Sequence, residues 1–334
     1  MSTLDGWDGW DGWDGWDGWD GWDGWDGWDG WDGWDGASAA TSRRSRGLGP
    51  GPALARTREA MICGPWEKFG RPKGWPGSSP NSVLRTVSEG VRRQVILTDL
   101  LGNVKVTGNA RSVNVRLFKE SCRIEAPVAD EFEKALEVVE ALAEMRGERA
   151  GEIMAQLRYS PAFWANILPL NPRTTPRTLE LMAVAVAFTS HVVQRAKLLF
   201  NLPRPAELSP RIQPLIPTPP YSTFPSGHAA ESRVLACLLH ELVVGAMSKP
   251  DPNADEWEKR LANLLPKLAD RIAKNREIAG IHFSADSESG KALGTFLAKQ
   301  LCNAAHKDSP EDAPAAPGHP FACLWQQAHA EWGG

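Results

Sequence analysis

The sequence FPSGH at residues 224–228 stands at the start of a mostly apolar run and decides how the rest of the chain is interpreted. Ser226 is of a type favoured as a helix N-cap, and Gly227 lets a ligand approach the backbone. The first N–H groups of a helix have no partner within it, so they attract anions. The stretch predicts a helix over about 226–247 with an anion and the ring of His228 at its N-terminus. A capped helix start with an incidental histidine is the alternative.

An upstream segment adds two cationic side chains. A helix predicted over about 176–200 has Lys197 in its last turn, and Arg204 follows the proline break that ends it. Arg204 can offer a planar fork to two oxygens of an anion, and Lys197 can offer a point charge. Taken alone, the pair is equally explained as a cationic helix end that interacts with the helix dipole.

A downstream segment, REIAGIH, places Arg276 and His282 six positions apart. On one continuous helix this separation is about 600°, so the two side chains would not share a face. A break near Gly280 is therefore predicted, with His282 at or just past the helix end. Asp286 can orient the imidazole and stabilise its charged form. A surface arginine, a core histidine and a capping aspartate are the alternative.

Together the three segments resemble the signature of type 2 phosphatidic-acid phosphatases, which is shared by bacterial class A acid phosphatases and vanadium-dependent haloperoxidases. The resemblance rests on Lys-x6-Arg-Pro, Pro-Ser-Gly-His and Arg-x5-His-x3-Asp, and it covers about 176–300. The third motif often begins with serine, where this chain has Asn275. Glu277 is expected to face solvent or to pair with a base such as Lys274, because a carboxylate pointing inward would repel phosphate.

The resemblance implies a role for each motif residue. His282 would be the nucleophile that attacks phosphorus, or the axial ligand of vanadate, and Asp286 would hold it. His228 would protonate the leaving oxygen and then activate water. No metal ion is expected. The oxyanion would be bound by a cationic cradle of Lys197, Arg204, Ser226, Gly227 and Arg276.

Phosphate and vanadate share shape and charge, so two reactions stay open. The preferred prediction is hydrolysis of small phosphate monoesters through a phosphohistidine, without a cofactor. The alternative is a haloperoxidase that binds vanadate and oxidises halide with hydrogen peroxide; a phosphate-binding protein without activity is a lesser one. Short connections favour the phosphatase, since Arg204 and Ser226 are 22 positions apart. The proline-rich loop 206–224 is expected to line the mouth of the site and to set specificity.

The remaining pattern predicts a mainly α protein with a helical bundle as its catalytic domain at 128–305. Alternating apolar residues from about 92 to 118 predict a β-hairpin or short-stranded cap, so 61–127 is interpreted as a small mixed N-terminal region. Residues 306–334 are predicted to form a loose tail. Beyond the helices already named, the pattern predicts helices from about 130, near 257–282 and over about 286–301.

The N-terminal residues 1–60 are predicted to be a disordered tail. Residues 5–36 repeat Asp-Gly-Trp without interruption and hold ten of the sixteen tryptophans. A period of three fits neither helix nor strand, and frequent glycine raises the entropic cost of ordering. An interaction tail is one interpretation; a tandem expansion of the gene, or a true start at Met61, is the other.

Charge, cysteines and hydropathy limit the class of protein. The whole chain has a net charge of −4, and the eleven Asp of residues 1–36 contribute −11. Residues 37–334 therefore carry −4 + 11 = +7. That charge suits an anionic substrate but is too dispersed to indicate nucleic acid. Five scattered cysteines indicate a reducing compartment. The longest apolar stretch, 181–188, is far shorter than the ~20 residues of a transmembrane helix. We expect a cytoplasmic protein; whether it forms a homo-oligomer stays open.

Overall fold

The computed structural model describes residues 84, 86–128, 132–246, 254–306 and 319–333. The repeat at 5–36 and the disorder predicted for 1–60 lie outside these ranges. The described part is mainly helical with one small antiparallel sheet, which confirms the predicted fold class. Within it, no helix has the length and apolar character needed to cross a membrane.

The elements follow one another along the chain as a short helix and sheet, a set of connecting helices, and the long helices of the bundle. In order they are α1 (Glu89–Gly102), β1 (Val104–Gly108), β2 (Ser112–Leu117), β3 (Glu120–Glu125), α2 (Phe132–Leu142), a 3₁₀ turn (Ala143–Met145), α3 (Arg146–Ala155), α4 (Ala162–Ala165), α5 (Pro176–Phe200), α6 (Pro205–Leu208), α7 (Gly227–Ala246), α8 (Ala254–Ile278), α9 (Ser284–His306) and α10 (Pro320–His329).

The β-hairpin or short-stranded cap predicted over about 92–118 is confirmed for β1 and β2, which pair antiparallel, and is wrong for the residues before them. Residues 92–102 belong to helix α1, which buries Ile96 and Leu100 on one face. The apolar run around Ile96 fits a helix as well as a strand, so periodicity could not separate the two. The sheet that follows has three strands in the order β1-β2-β3, all antiparallel, and Val113 on β2 lies opposite Ile124 on β3.

One hydrophobic core joins the sheet to the helical bundle. It contains the fully buried side chains of Val113 from β2, Phe188 from α5, Leu293 from α9 and Phe321 from α10. The boundary predicted after residue 127 therefore does not separate two cores. The sheet is packed against the same helices that carry the motifs.

Helices α7 and α9 approach each other closely because two glycines of α9 face α7. A Cβ atom at Gly294 would lie 2.5 Å from the carbonyl oxygen of Ala230, and one at Gly290 would overlap the carbonyl oxygen of Ser226. The backbone N–H of Ser226 donates to the carbonyl oxygen of Asp286 (2.9 Å). The two glycines thus bring the second and third motifs together.

The C-terminal segment corrects the loose tail predicted for 306–334. Residues 307–318 lie outside the described ranges, but helix α10 follows them and packs into the main core, with Phe321 and Trp325 buried. Pro320 stands in the first turn of α10, where proline is favoured, rather than in a loop. The prediction was therefore wrong for residues 320–333.

Glu331, which follows α10, caps the N-terminus of α5. Its carboxylate accepts hydrogen bonds from the backbone N–H groups of Arg177 (2.7 Å) and Thr178 (2.8 Å). The first N–H groups of a helix have no internal partners, so a carboxylate there satisfies them and interacts favourably with the helix dipole. The C-terminal segment therefore caps the helix that carries Lys197 at its other end.

Candidate active site

Lys197 lies in the last turn of α5, as predicted. Its buried Nζ donates to the carbonyl oxygens of Ser222 (2.6 Å) and Thr223 (2.8 Å). Burial, followed by the charge of Arg204, lowers the pKa of Lys197 to about 7. An ammonium has three donors, so one N–H remains for a further acceptor.

Arg204 is buried where the proline-rich loop meets the third motif. Its Nε donates to the carbonyl oxygen of Tyr221 (2.9 Å) and its Nη1 to that of Ile281 (2.9 Å). The ring of Tyr221 lies over the guanidinium, with 5.2 Å between Cζ and the ring centroid. Tyr221 is itself partly exposed, so this end of loop 206–224 lies between the buried cations and solvent.

The second motif begins helix α7 at Gly227, one residue after Ser226. The hydroxyl of Ser226 is buried and has no hydrogen-bond partner among the described residues. The predicted side-chain cap is therefore wrong: the backbone of Ser226, through its bond to Asp286, fixes this position instead. The hydroxyl stays available as a donor.

His228, in the first turn of α7, is oriented by a backbone carbonyl. Its Nε2 lies 3.1 Å from the carbonyl oxygen of Gln156, which can only accept, so Nε2 carries a proton and Nδ1 holds the lone pair of the neutral ring. Desolvation and then the charge of Arg276 lower the pKa of His228 to about 3, and His282 and Lys197 act in the same direction. Gln156 contacts both His228 and Arg276, and Thr223 contacts both His282 and Lys197, so each imidazole lies near one of the cations.

Helix α8 ends before the third motif is complete, as predicted. Gly280 has a φ of 81°, in the left-handed region. The N–H of Ile281 bonds to the carbonyl oxygen of Arg276 (3.2 Å), and that of Gly280 to the carbonyl oxygen of Glu277 (2.9 Å). This is the Schellman arrangement of a helix C-terminus. The predicted break near Gly280 is confirmed, and it places His282 beyond the helix end.

His282 is held by a carboxylate and a hydroxyl. Oδ2 of Asp286 accepts from Nδ1 of His282 (2.9 Å), from the N–H of Phe283 (2.9 Å) and from the hydroxyl of Thr223. The proton is thus on Nδ1, and Nε2 keeps its lone pair. Burial lowers the pKa of His282 to about 4, although Asp286 opposes the shift. At pH 7 the ring is neutral and Nε2 can act as a nucleophile.

Arg276 is fully buried, and most of its hydrogen-bonding capacity is unused. Its Nη2 donates to the carbonyl oxygen of Ile153 (2.9 Å), while Nε and Nη1 have no partner among the described residues. Burial lowers the pKa of Arg276 to about 10, which leaves it charged at pH 7. Unpaired buried donors on a charged group are unfavourable. An oxyanion is the type of ligand that would satisfy them.

Asn275 and Glu277, on either side of Arg276, each have a hydrogen-bond partner that explains their position. Glu277 is buried, so the prediction that it faces solvent is wrong. The alternative prediction, a pair with Lys274, is confirmed (2.8 Å). Glu277 also accepts a hydrogen bond from the hydroxyl of Ser284 (2.9 Å). The side chain of Asn275 donates to Oε1 of Gln156 (2.8 Å).

Three residues near the site were not predicted. Thr223 lies directly before the second motif, and this adjacency was the one available signal. Gln156 and Glu231 carry no motif. Glu231 lines a cavity of about 50 Å³ beside His228, together with Tyr159 and other aromatic side chains, and burial raises the pKa of Glu231 to about 7.

The fold and these contacts define a helical protein with a buried cluster of three cations and two neutral histidines, one of them paired with a carboxylate. Residues 179–309 match the sequence model of the PAP2 superfamily. This match confirms the resemblance predicted from the three motifs, over less than half of the 334-residue chain. A search of curated protein sequences finds no match.

Two solved structures are partly similar to this chain. One is the transmembrane PAP2-type phosphatidylglycerolphosphate phosphatase from Bacillus subtilis, with 16% identity and a TM-score of 0.43 over 55% of this chain and 90% of that chain. The other is a bacterial vanadium-dependent iodoperoxidase, with 21% identity and a TM-score of 0.40 over 53% of this chain and 51% of that one. This chain thus spans about half the length of the iodoperoxidase. Neither similarity separates hydrolysis from peroxidation.

Proposed function

We propose that the chain is a phosphatase that hydrolyses small phosphate monoesters through a covalent intermediate on His282. The observation that carries this proposal is the pairing of His282 with Asp286, which leaves a neutral nucleophilic Nε2 in the neighbourhood of buried cations. The PAP2 match supports the class of chemistry.

In the first step, Nε2 of His282 attacks phosphorus and forms a P–N bond while the ester P–O bond breaks. The leaving oxygen takes a proton from Nδ1 of His228. The free His228 is neutral at pH 7, but the negative charge of the bound phosphate raises the pKa of His228 by charge attraction, so that it can carry the proton it delivers. Asp286 stabilises the positive charge that develops on the ring of His282.

In the second step, His228 acts in the reverse direction. Its Nδ1, now neutral, accepts a proton from a water molecule whose oxygen attacks phosphorus. The P–N bond breaks, inorganic phosphate is released and His282 regains its lone pair. Splitting the displacement in two is the general advantage of covalent catalysis.

The oxyanion is stabilised through both steps by fixed donors. Arg276 offers Nε and Nη1, Ser226 offers its hydroxyl, and Lys197 offers its third N–H. The backbone N–H groups at the start of α7, from Gly227 onward, add the favourable field of a helix N-terminus. Arg204 adds positive charge beside them. Such preorganised donors stabilise transition-state charge without a metal ion.

The same donors fit vanadate, because it matches phosphate in shape and charge. Arg276 and Ser226 would hold its oxygens and Nε2 of His282 its vanadium. Bound vanadate would supply the activation of peroxide for halide oxidation. This is the alternative function, and it requires the same residues in the same places.

An assay of the full-length protein separates the alternatives. Hydrolysis of p-nitrophenyl phosphate without added metal is expected, with inhibition by orthovanadate and loss of turnover in His282→Ala. Bromide or iodide oxidation with peroxide after vanadate loading, without hydrolysis, would establish the peroxidase instead. Phosphate binding without either activity would identify a binding protein.

A further inference from the structure

Gln156 lies outside the matched family segment and yet contacts two residues of the site. It follows helix α3, some twenty residues before the match to 179–309 begins, and the residue is 3% exposed. Its backbone carbonyl accepts from Nε2 of His228 (3.1 Å), and its side-chain Oε1 lies 3.5 Å from Nη2 of Arg276. One residue thus contacts both the acid–base histidine and the anion-binding arginine.

We infer that Gln156 is a positioning residue that fixes His228 and the guanidinium of Arg276 relative to each other. The inference rests on the proposed function, since it assigns these two groups to the same reaction. Gln156 touches neither phosphorus nor the leaving group in this scheme; it acts through its two neighbours.

The orientation of Arg276 follows from which of its nitrogens is used. Nη2 is directed at the carbonyl oxygen of Ile153 (2.9 Å) and toward Oε1 of Gln156. A guanidinium is planar and rigid, so fixing Nη2 fixes the directions of the unpartnered Nε and Nη1. Ile153 near the end of α3 and Gln156 just after it therefore determine where the free donors point.

Gln156 is itself held from two sides, which makes it a rigid anchor. Its Nε2 donates to Oε1 of Glu152 (3.0 Å), and that carboxylate is bound by the guanidinium of Arg271 (2.7 Å from Nε). Its Oε1 accepts from Nδ2 of Asn275 (2.8 Å). Both hydrogen-bonding ends of the amide are occupied, so the side chain has little freedom to rotate.

Asn275 departs from the serine that often begins the third motif, and the contact with Gln156 gives a reason. The amide nitrogen of asparagine is one bond further from the backbone than the oxygen of serine, and it bridges to Oε1 of Gln156. Asn275 within the motif and Gln156 outside it are therefore the donor and the acceptor of one hydrogen bond.

The first test substitutes Gln156 with methionine, which keeps the length and removes the side-chain hydrogen bonds to Arg276, Asn275 and Glu152. The backbone carbonyl that binds His228 is retained. Inorganic phosphate binding to the full-length protein is measured by calorimetry, and turnover with p-nitrophenyl phosphate. We expect the Kd for phosphate to rise about tenfold and kcat/KM to fall roughly ten- to a hundredfold, the range seen when supporting hydrogen bonds around a site are removed. The matched control is Gln327→Met in α10, whose amide donates to the carbonyl oxygen and Sγ of Cys323 and lies outside the three motifs; it should change neither value.

The second test asks whether Gln156 acts through Arg276. The Gln156→Met change is repeated in an Arg276→Lys background, which has no planar guanidinium to orient. We expect no further rise in the phosphate Kd in the double variant, because residues that act as one unit are not additive. Fully additive losses would show a general structural effect and overturn the inference.

The outcomes separate this inference from the proposed function. If the parent protein neither binds phosphate nor hydrolyses the ester, both fail. If the parent binds and turns over, and Gln156→Met does the same with unchanged constants, the inference alone fails. Should Gln156→Met not fold, Asn275→Ser removes the other end of the same hydrogen bond. A rise in its phosphate Kd with the melting temperature retained supports the inference, and an unchanged Kd overturns it.

Discussion

The two histidines of the site are held by partners of different chemistry and different origin. His282 is bound by the carboxylate of Asp286, four residues away within the same motif. His228 is bound by the backbone carbonyl of Gln156, 72 residues earlier and outside the family match. Both partners select a tautomer, but only the carboxylate carries a charge.

This difference agrees with the roles proposed for the two rings. A nucleophile that becomes positively charged when it bonds to phosphorus gains from a fixed negative charge beside it. A histidine that must release a proton in one step and recover it in the next is better served by a neutral acceptor, because a fixed negative charge beside the ring would hold the proton on it. The different roles of His228 and His282 can be tested by removing each ring or its hydrogen-bond partner.

The largest effect is expected from the rings themselves. His282→Ala should lower turnover by about 10⁴-fold or more, because the covalent route is lost. His228→Ala should still form the phosphoenzyme from p-nitrophenyl phosphate, whose leaving group needs no proton, but should hydrolyse it slowly. Labelled phosphate that is acid-labile should therefore accumulate on denatured His228→Ala and be absent from His282→Ala. The reverse distribution would exchange the two roles.

A smaller loss is expected from Asp286→Asn. The amide keeps the shape but removes the charge and allows the wrong tautomer of His282, a change that lowers kcat by up to about 10⁴-fold in a comparable histidine–aspartate pair. We expect roughly 10²- to 10⁴-fold here, with phosphate binding largely retained. Steady-state kinetics and calorimetry on the same protein check this. Equal losses in kcat and in phosphate affinity would mean that Asp286 supports the fold rather than the nucleophile.

The pH dependence of activity tests Lys197, whose charge lowers the pKa of both His228 and His282. Lys197 must be protonated to attract phosphate, and its pKa is lowered to about 7, so kcat/KM should fall as pH rises above 7. The decline should approach tenfold for each further pH unit. On the acidic side, kcat/KM should fall below about pH 4, where His282 becomes protonated before substrate binds. In Lys197→Arg the alkaline decline should move to higher pH; a profile identical to that of the parent would remove Lys197 as its cause.

The smallest effect is expected from Thr223→Val, which removes one hydroxyl beside the His282–Asp286 pair. One buried hydrogen bond to a charged group contributes about 1.5–3 kcal/mol, so we expect a loss of roughly tenfold to a hundredfold in kcat. Thr223→Ser keeps the hydroxyl and should restore most of the activity. If the serine variant is as slow as the valine variant, packing of the methyl group rather than the hydrogen bond is responsible.

Local sequence patterns were sufficient for the motif-bearing helices. The proline at the start of α5, the break at Gly280 and the apolar run after His228 each act within a few residues, and the helices lie close to where they were predicted. The contact of Gln156 with His228 could not be predicted in this way. It joins segments that come together only through packing, and neither residue type signals the other.

The two errors in the fold have a common origin. Residues 95–97 form a short apolar run that suits a helix or a strand, and the segment from 320 begins with proline after a Pro- and Ala-rich stretch. In both places the structure is decided by burial against the main core, through Ile96 and Phe321, rather than by local preference. Tertiary packing of this kind is invisible to periodicity.

The carboxylate of Glu331 has a practical consequence for anyone who produces this protein. Because it satisfies the first N–H groups of α5, the segment after α10 acts as a fastener for the start of this 25-residue motif-bearing helix. A truncation before residue 320, or a bulky fusion joined directly after Trp332, would loosen that fastener and expose aromatic surface. Purification handles are better joined to the chain by a spacer, or placed at the other terminus.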